Sequence, residues 1–325
     1  MKAWYMMMDD AGTQLEQREV ARPEPGPQQL LVKVHAASLN RGEFVAGHGL
    51  TKAGAWKAIG GEGAGEVVAV GDQVSRFKVG DRVMARSGGS FAEYMLMDEP
   101  DAMQVPASLS WQEAACIPMA YLVAYDMVVL QGRLQSGQWL LVNGVTSGVG
   151  VASLQIAKVL GAKVIGTSGS EDKLAKLKPL GLDLGLRSRG ADFAGRVMEA
   201  TGGKGANLAV NTVGGTVFAE DMHCLAFEGR LAMVGYVDGE LHANIDLEEL
   251  HGKRLTLFGV SNKLRSKAQK AAAIPQFVAD IVPAFADGRI KPQIDRVMPF
   301  AELPEAKQVM ETGGHTGKIV LQVAA

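Results

Sequence analysis

The sequence predicts an α/β protein: a doubly wound parallel sheet inserted into a partly open β-barrel. Three observations carry that expectation. Trp139 to Lys158 (WLLVNGVTSGVGVASLQIAK) reads as a buried strand, a turn of small residues and a helix. From about residue 122 to 262, short apolar runs alternate with segments of helical periodicity, the pattern of a parallel sheet with crossover helices. The flanks, 1–121 and 263–325, carry mostly short strands, so they form one discontinuous β-rich domain around 122–262, with a cleft between the two.

In chain order, strand-like runs fall at Met1–Met7, Leu30–His35, Gly65–Val70, Arg82–Met84 and Ala92–Met97. Turn residues punctuate them at Pro25-Gly26-Pro27, Gly71-Asp72, Gly80-Asp81 and Ser87–Ser90. Leu109–Leu130 turns helical, with Ser110 ahead of Glu113 as a capping pair. Six strands are then expected at Trp139–Val142, Lys163–Thr167, Leu184–Leu186, Leu208–Asn211, Arg230–Val234 and Leu255–Val260. Helices are expected at Gly148–Leu160, Glu171–Leu180, Phe193–Ala200, Phe218–Leu225 and near Leu247–His251. Lys267–Ala286 reads as one long helix bent at Pro275 and Pro283, and Arg296–Val323 as short strands around a helix at Leu303–Glu311.

Composition removes several classes of function. A net charge of −2, with Lys and Arg dispersed among Asp and Glu, gives no nucleic-acid footprint. No apolar run reaches the length of a membrane span, and Met6–Met8 lead straight into Asp9 and Asp10 rather than into a signal-peptide core. Two cysteines, Cys116 and Cys224, in apolar surroundings predict buried thiols in a reducing compartment, and hence a cytoplasmic protein.

Strand, glycine turn, helix is the context in which a helix N-terminus offers free N–H groups and partial positive charge to a pyrophosphate. Against the dinucleotide fingerprint G-x-G-x-x-G, the register here reads Val145, Thr146, Ser147, Gly148, Val149, Gly150. Of the required glycines only Gly150 remains, where helix must pack closely on strand. Ser147 stands where a glycine usually lets the backbone meet the phosphates, and its hydroxyl is a donor in that place. Thr146, Ser147, Gly148 and Val149 are the expected phosphate contacts.

With SLNRGE (38–43), GGEGAGEVVAVG (60–71), VGDRV (79–83), GSFAEY (89–94), the turn at 144–150, NTVGG (211–215), GRLAMVGY (229–236) and HTGKIVL (315–321), the chain resembles the medium-chain dehydrogenases/reductases, in particular their zinc-free NADPH:quinone oxidoreductase branch. The resemblance spans essentially the whole length. It implies a GroES-like catalytic domain, a Rossmann domain at 122–262 and a homodimer. Where the zinc-dependent branch has Cys, His and Cys as catalytic zinc ligands, this chain has Asn40, Gly61 (beside Glu62) and Met119, and no C-x-x-C marks a structural zinc lobe. No metal is expected.

For the cofactor, an NAD site places Asp or Glu at the end of the second strand to bind the ribose 2′-hydroxyl. That position is Ser168, and no acid follows until Glu171. A serine accepts a 2′-phosphate that a carboxylate repels, and Lys173 on the next helix would add a charged contact of about 1.5–3 kcal/mol. Arg187 and Arg189 flank Ser188, where the family often has an adenine-stacking tyrosine; each is a candidate to stack or to fork the phosphate. NADPH is therefore the expected cofactor. By resemblance, Asn211–Gly214, including Val213, runs beneath the adenosine, Gly235 and Tyr236 lie by the nicotinamide ribose, Phe258, Gly259 and Val260 pass the carboxamide, and Lys318 reaches toward the cofactor. For Lys173, Arg187, Arg189 and Tyr236, solvated surface or turn roles are the competing readings.

Without a Lewis acid, charge on the reduced acceptor must be met by hydrogen bonds or a proton. Quinones and α,β-unsaturated carbonyls, whose reduced anions are delocalised, suit such a site better than a ketone–alcohol pair. Asn40 is the candidate for orienting the carbonyl or nicotinamide, or else it satisfies turn backbone. Phe44-Val45 stand where related quinone reductases have a tyrosine, so no tyrosine donor carries over; Arg41 and His48 read as solvated, Tyr121 and Tyr125 as core, and water is an alternative proton source. Two other functions compete: a non-enzymatic NADPH-binding sensor on a retired scaffold, and an enoyl-thioester reductase.

Overall fold

The computed structural model describes residues 1–9, 12–44 and 54–324; His48 and Val45 lie outside the described residues. The chain divides into two units, Met1–Leu122 with Lys263–Ala325, and Val123–Asn262.

Among the described residues of the first unit, β1 (Lys2–Asp9), β2 (Gly12–Glu19), β3 (Gln29–Ser38), β4 (Lys57–Ala58), β5 (Glu62–Val70), β6 (Arg82–Arg86), β7 (Tyr94–Asp98) and β8 (Met103–Gln104) come before the second unit. The second unit carries β9 (Trp139–Asn143), β10 (Lys163–Ser168), β11 (Leu184–Arg187), β12 (Ala206–Asn211), β13 (Leu225–Met233) and β14 (Thr256–Gly259). The chain then returns to the first unit with β15 (Ile294–Pro299) and β16 (Lys318–Gln322).

In the first unit the main sheet runs β15-β16-β3-β5-β6-β8, with β7 also against β3, and a smaller sheet runs β2-β1-β4. All these pairs are antiparallel except β15 with β16. β3 is central because Leu30, Leu31, Val32 and Val34 are buried, Lys33 alone of that run being exposed. Leu30, Val32 and Val34 share a core with Met6, Phe91, Met95, Leu303 and Ile319.

Three expected helices prove to be broken, and the 171–180 segment is helical only at Glu171–Ala175, followed by a 3₁₀ turn at Lys178–Leu180. The 109–130 segment begins as read, with Ser110 and Glu113 closing a capping box on Trp111–Ala115. It then stops, restarts at Ala120–Tyr125 and ends in a π-helical turn at Asp126–Gln131. The expected single helix at 267–286 is three, Lys267–Ala271, Ile274–Asp280 and Val282–Ala286. Pro275 and Pro283 lie in the first turns of the last two, where a missing N–H costs nothing, so each proline starts a helix rather than bending one.

The second unit is one parallel sheet in the order β11-β10-β9-β12-β13-β14. Numbered from its own first strand this is 3-2-1-4-5-6, the doubly wound order. Helices at Gly148–Val159, Glu171–Ala175, Ala194–Ala200, Phe218–Cys224 and Leu247–Gly252 alternate with the strands. Leu141, Ile165, Ala209 and Leu231 from successive strands form its core. Cys116 and Cys224 are free and buried, one in each unit, and burial pushes both thiols well above the usual range.

Candidate functional site

The carboxyl ends of β9, β10 and β12 come together in register, Asn143 beside Thr167 and Asn211. That edge, at the point where strand order reverses, is where doubly wound sheets bind ligands. Leaving β9, the chain turns on Gly144 at φ +76°, a left-handed conformation, and a Cβ there would strike the Thr212 hydroxyl. Gly144 is thus the tight-turn glycine of the motif, one place earlier than the G-x-G-x-x-G register assigns it. Gly150 plays its expected part, since a Cβ on it would lie 2.7 Å from the Val145 Cα.

Ser147 caps the helix Gly148–Val159: its Oγ accepts from Gly150 N at 3.0 Å. The hydroxyl proton is left for an anion, and Gly148 and Val149 provide the first-turn N–H groups that have no partner inside a helix. Thr146 turns its hydroxyl to Ser168, 3.5 Å away. Ser168 ends β10 nearly buried and also accepts from Ser170 N at 3.3 Å. Arg189 lies against this corner, its Nε 3.2 Å from where a Cβ on Gly169 would sit. Ser188 instead turns its hydroxyl onto Asp192 and Gly190 O, Arg187 is exposed, and Lys173 is half-buried on the helix that follows. Thr146, Ser168 and Arg189 are therefore gathered, while Ser188 is spent on its own loop.

Beneath this edge lies a buried polar network that sequence reasoning missed. Asn211 Nδ2 donates to Asp221 Oδ2 at 2.9 Å and to Gly214 O at 3.0 Å, while its Oδ1 accepts from Val213 N and Gly214 N at 2.9 and 2.8 Å. Asn143 donates to the other oxygen of Asp221 and accepts from Thr167 Oγ1 at 2.8 Å. Asp221 is fully buried, and burial pushes its carboxyl well above the usual range, with the two amides opposing. Asn211 and Val213 thus form a turn fixed from below by Asp221. Only a carboxylate six residues beyond Gly214-Gly215 on a short helix signals it, and that spacing has no generic meaning. At the far edge, Met233 pairs with Gly259 and Ala232 with Phe258; Gly235 follows, Tyr236 is about half exposed and Val260 is buried.

A second cluster lies within the first unit, around the end of β3. Lys318 on β16 is nearly buried, and its Nζ donates to Leu39 O, Asn40 Oδ1 and Glu62 Oε1 at 2.8, 2.7 and 2.8 Å. Glu62 at the start of β5 also accepts from Ser38 Oγ at 2.6 Å, Asn40 Nδ2 at 3.0 Å and Met119 N at 2.6 Å. Asn40 Nδ2 donates as well to Glu43 Oε1 at 2.9 Å. Glu43 is buried, and burial lifts its carboxyl to about 7, while Asn40 and Lys318 pull the other way and Glu62 adds to the rise. Arg41 points elsewhere and donates to Met310 O at 2.8 Å. Lys318, expected by resemblance to reach toward a cofactor, places its three protons on Leu39 O, Asn40 and Glu62.

The residues at the zinc-branch ligand positions do not fit a zinc ion. Gly61 has no side chain, and a Cβ there would lie 2.6 Å from Glu43 Oε1 and 3.1 Å from Met119 Cε. Asn40 is fully engaged with protein partners, and of the two neighbouring carboxylates Glu62 already holds the Lys318 ammonium while Glu43 accepts from Asn40. Among the described residues no group of three or more His, Cys, Asp or Glu is placed to hold a metal.

Residues 26–107 match the alcohol dehydrogenase GroES-like domain, and residues 148–276 match the zinc-binding dehydrogenase family. Over 95% of its length the chain is 33% identical to a phenolphthiocerol/phthiocerol polyketide synthase of Mycobacterium tuberculosis, spanning 14% of that protein. It is 28% identical to the quinone oxidoreductase of Homo sapiens, with 93% of this chain and 92% of that one covered. Among solved structures it superposes on an NAD-dependent alcohol dehydrogenase with a TM-score of 0.87 at 31% identity, covering 100% of both chains. It also superposes on a mycobacterial protein complexed with NADPH, with a TM-score of 0.87 at 27% identity over 99% of this chain and 100% of that one.

Proposed function

The chain belongs to the medium-chain dehydrogenase/reductase superfamily, and on that premise we propose that it is an NADPH-dependent, zinc-independent reductase of quinones or α,β-unsaturated carbonyls. The observation that carries the reading is the cluster around Glu62. Where a zinc-dependent relative needs a Lewis acid, this chain presents an ammonium ion locked to a carboxylate and a carboxylic acid beside it. Such a site cannot hold a localised alkoxide on a metal, and it suits an acceptor whose reduced anion is delocalised.

A bound nicotinamide supplies a hydride from its C4. The residues on the carboxyl edge of the parallel sheet fit that cofactor: Gly144 gives the cradle that a Cβ would fill, Ser147 caps a helix aimed at the phosphates, and no carboxylate stands at the end of β10. Ser168 and Thr146 offer hydroxyls to a 2′-phosphate, and Arg189 adds charge beside them. Asn211 and Val213, Gly235 and Tyr236, and Phe258 to Val260 form the remaining wall.

A second reading, an enoyl-thioester reductase, is favoured by one observation: the similarity to a polyketide synthase extends over 95% of this chain. Hydride delivery to a conjugated thioester makes the same demands of the site. A cytoplasmic homodimer completes the proposal; β14 ends the parallel sheet and leaves an edge for a second copy. The test is loss of NADPH absorbance with a panel of quinones, enones and enoyl thioesters, beside NADH controls. Turnover of a conjugated acceptor with NADPH preferred is expected. A folded, NADPH-saturated protein that turns over none of them is the sensor reading instead, and tighter binding of NADH removes the cofactor assignment.

A further inference from the structure

Within the second unit, at the end of its sheet away from Gly144 and Ser168, residues at the amino ends of β12, β13 and β14 line an open cavity of about 730 Å³. Small-molecule sites span roughly 300–1,000 Å³. The polar wall of this cavity is made largely of donors. Arg133, Arg230 and Arg254 all line it, and the one carboxylate in the wall, Glu228, lies 3.4 Å from Arg254 Nε. The Arg133 guanidinium has no partner among the described residues, and Arg230 donates only to Gln131 O at 3.4 Å. Gln138 and Asn207 spend their side-chain oxygens on backbone N–H groups, those of Gln135 at 2.9 Å and Trp139 at 3.0 Å. What each amide has left at the cavity is its NH₂ group, unpartnered among the described residues. Phe227, 64% exposed, adds apolar surface with Leu250 and Leu255.

The backbone at this cavity is strained. Among the described residues, three other than glycine have a positive φ: Arg133 at +52°, Glu228 at +58° and Arg254 at +54°. All three line the cavity. Arg133 and Arg254 each stand second after a helical segment, Asp126–Gln131 and Leu247–Gly252, the place where glycine is commonest because it has no Cβ to clash. Backbone conformation alone favours glycine at both positions. What arginine adds there is a guanidinium at the cavity, and strain of this kind collects where a side chain has a task.

We infer that this cavity is a second ligand site, for a small organic phosphate. Three guanidinium groups against one carboxylate call for a ligand with more than one negative charge. A carboxylate has two oxygens and is satisfied by a single arginine fork, whereas a phosphate monoester carries three acceptor oxygens for several guanidinium and amide donors at once. Its fourth oxygen carries the organic group, which lies against Phe227, Leu250 and Leu255. Inorganic phosphate would meet the donors and leave the apolar wall uncovered. The site is distinct from the carboxyl edge of the sheet and requires nothing of the reaction carried out there.

The experiment is calorimetric titration of the full chain at low salt with phenyl phosphate, inorganic phosphate and benzoate. Wild type is compared with Arg133→Gly, Arg254→Gly and the double variant. Glycine removes the guanidinium and relaxes the backbone, so Tm in these variants should equal or exceed that of wild type. Phenyl phosphate is expected to saturate wild type and to bind more tightly than the other two probes, with affinity falling as salt is added. Each single glycine variant should bind it about 10–100-fold more weakly, the value of a charged hydrogen bond, and the double variant should not saturate. Arg254→Lys, which keeps the charge and loses the fork, should fall between wild type and Arg254→Gly. A wild type that phenyl phosphate does not saturate overturns the site. So does wild-type affinity in both glycine variants, since any binding is then elsewhere on the chain. Benzoate bound as tightly as phenyl phosphate overturns the assignment to a phosphate.

Discussion

In the proposed function, cofactor choice falls to one residue, Ser168. It closes β10 with a hydroxyl already linked to Thr146 and to the Ser170 amide, and a carboxylate in its place would both repel a 2′-phosphate and accept from a ribose 2′-hydroxyl. Ser168→Asp should therefore move the NADPH:NADH affinity ratio toward NADH by about 10–100-fold, the value of a charged hydrogen bond; nucleotide titration of the purified variant measures it. Glu43 sets a stability slope. Its carboxyl has an ordinary value of 4.5 when unfolded and about 7 when folded, so between those limits the native state binds more protons than the unfolded chain. The stabilisation from the protonated acid is complete below the lower limit and lost as pH rises through the upper one, about 3 kcal/mol across the window. Glu43→Gln should flatten that part of the curve in urea melts at stepped pH.

The glycine turn and its helix behave as one element. Ser147 caps Gly148–Val159 through Gly150 N, so Ser147→Ala should cost about 1 kcal/mol in thermal or urea unfolding and also weaken nucleotide binding, while a change in unfolding alone would assign it to the cap only. The strands and helices of the second unit were legible because both faces of a parallel sheet are covered: Trp139–Val142, Lys163–Thr167 and Leu208–Asn211 read as apolar runs. β2 was not legible. Its sequence GTQLEQRE offers one apolar side chain, Leu15, because it is an edge strand held by its backbone to β1. The 267–286 segment misled through its prolines, which mark helix starts only when the break before them is visible. In the site, Ser168 and the glycine turn could be found from residue type and position. Glu43 and Asp221 could not, because what distinguishes them is a neighbour brought from another strand, and side-chain partners of that kind leave no period in the sequence.

At the scale of the whole molecule, one discontinuous β-rich unit and one parallel-sheet unit each bring a chemically complete cluster: hydroxyls and free N–H groups for an anion in the second, an acid beside a locked ion pair in the first. Since no residue set around Glu62 fits zinc, extended dialysis against a strong chelator should leave both turnover and Tm unchanged. A loss of either that zinc restores would contradict the fit described for Gly61, Asn40 and Met119.

The two cysteines bear on durability. Conjugated carbonyls and quinones are soft electrophiles that alkylate thiolates by Michael addition, a hazard to any catalyst that turns them over. Cys116 and Cys224 are both enclosed, with their thiols kept protonated by burial, so neither presents the nucleophile that such a reagent attacks. Incubation of the native protein with excess iodoacetamide or a simple enone should leave its intact mass unchanged, and both thiols should be modified once the chain is unfolded in guanidinium. On that account the chain should resist inactivation by the conjugated acceptors proposed as its substrates.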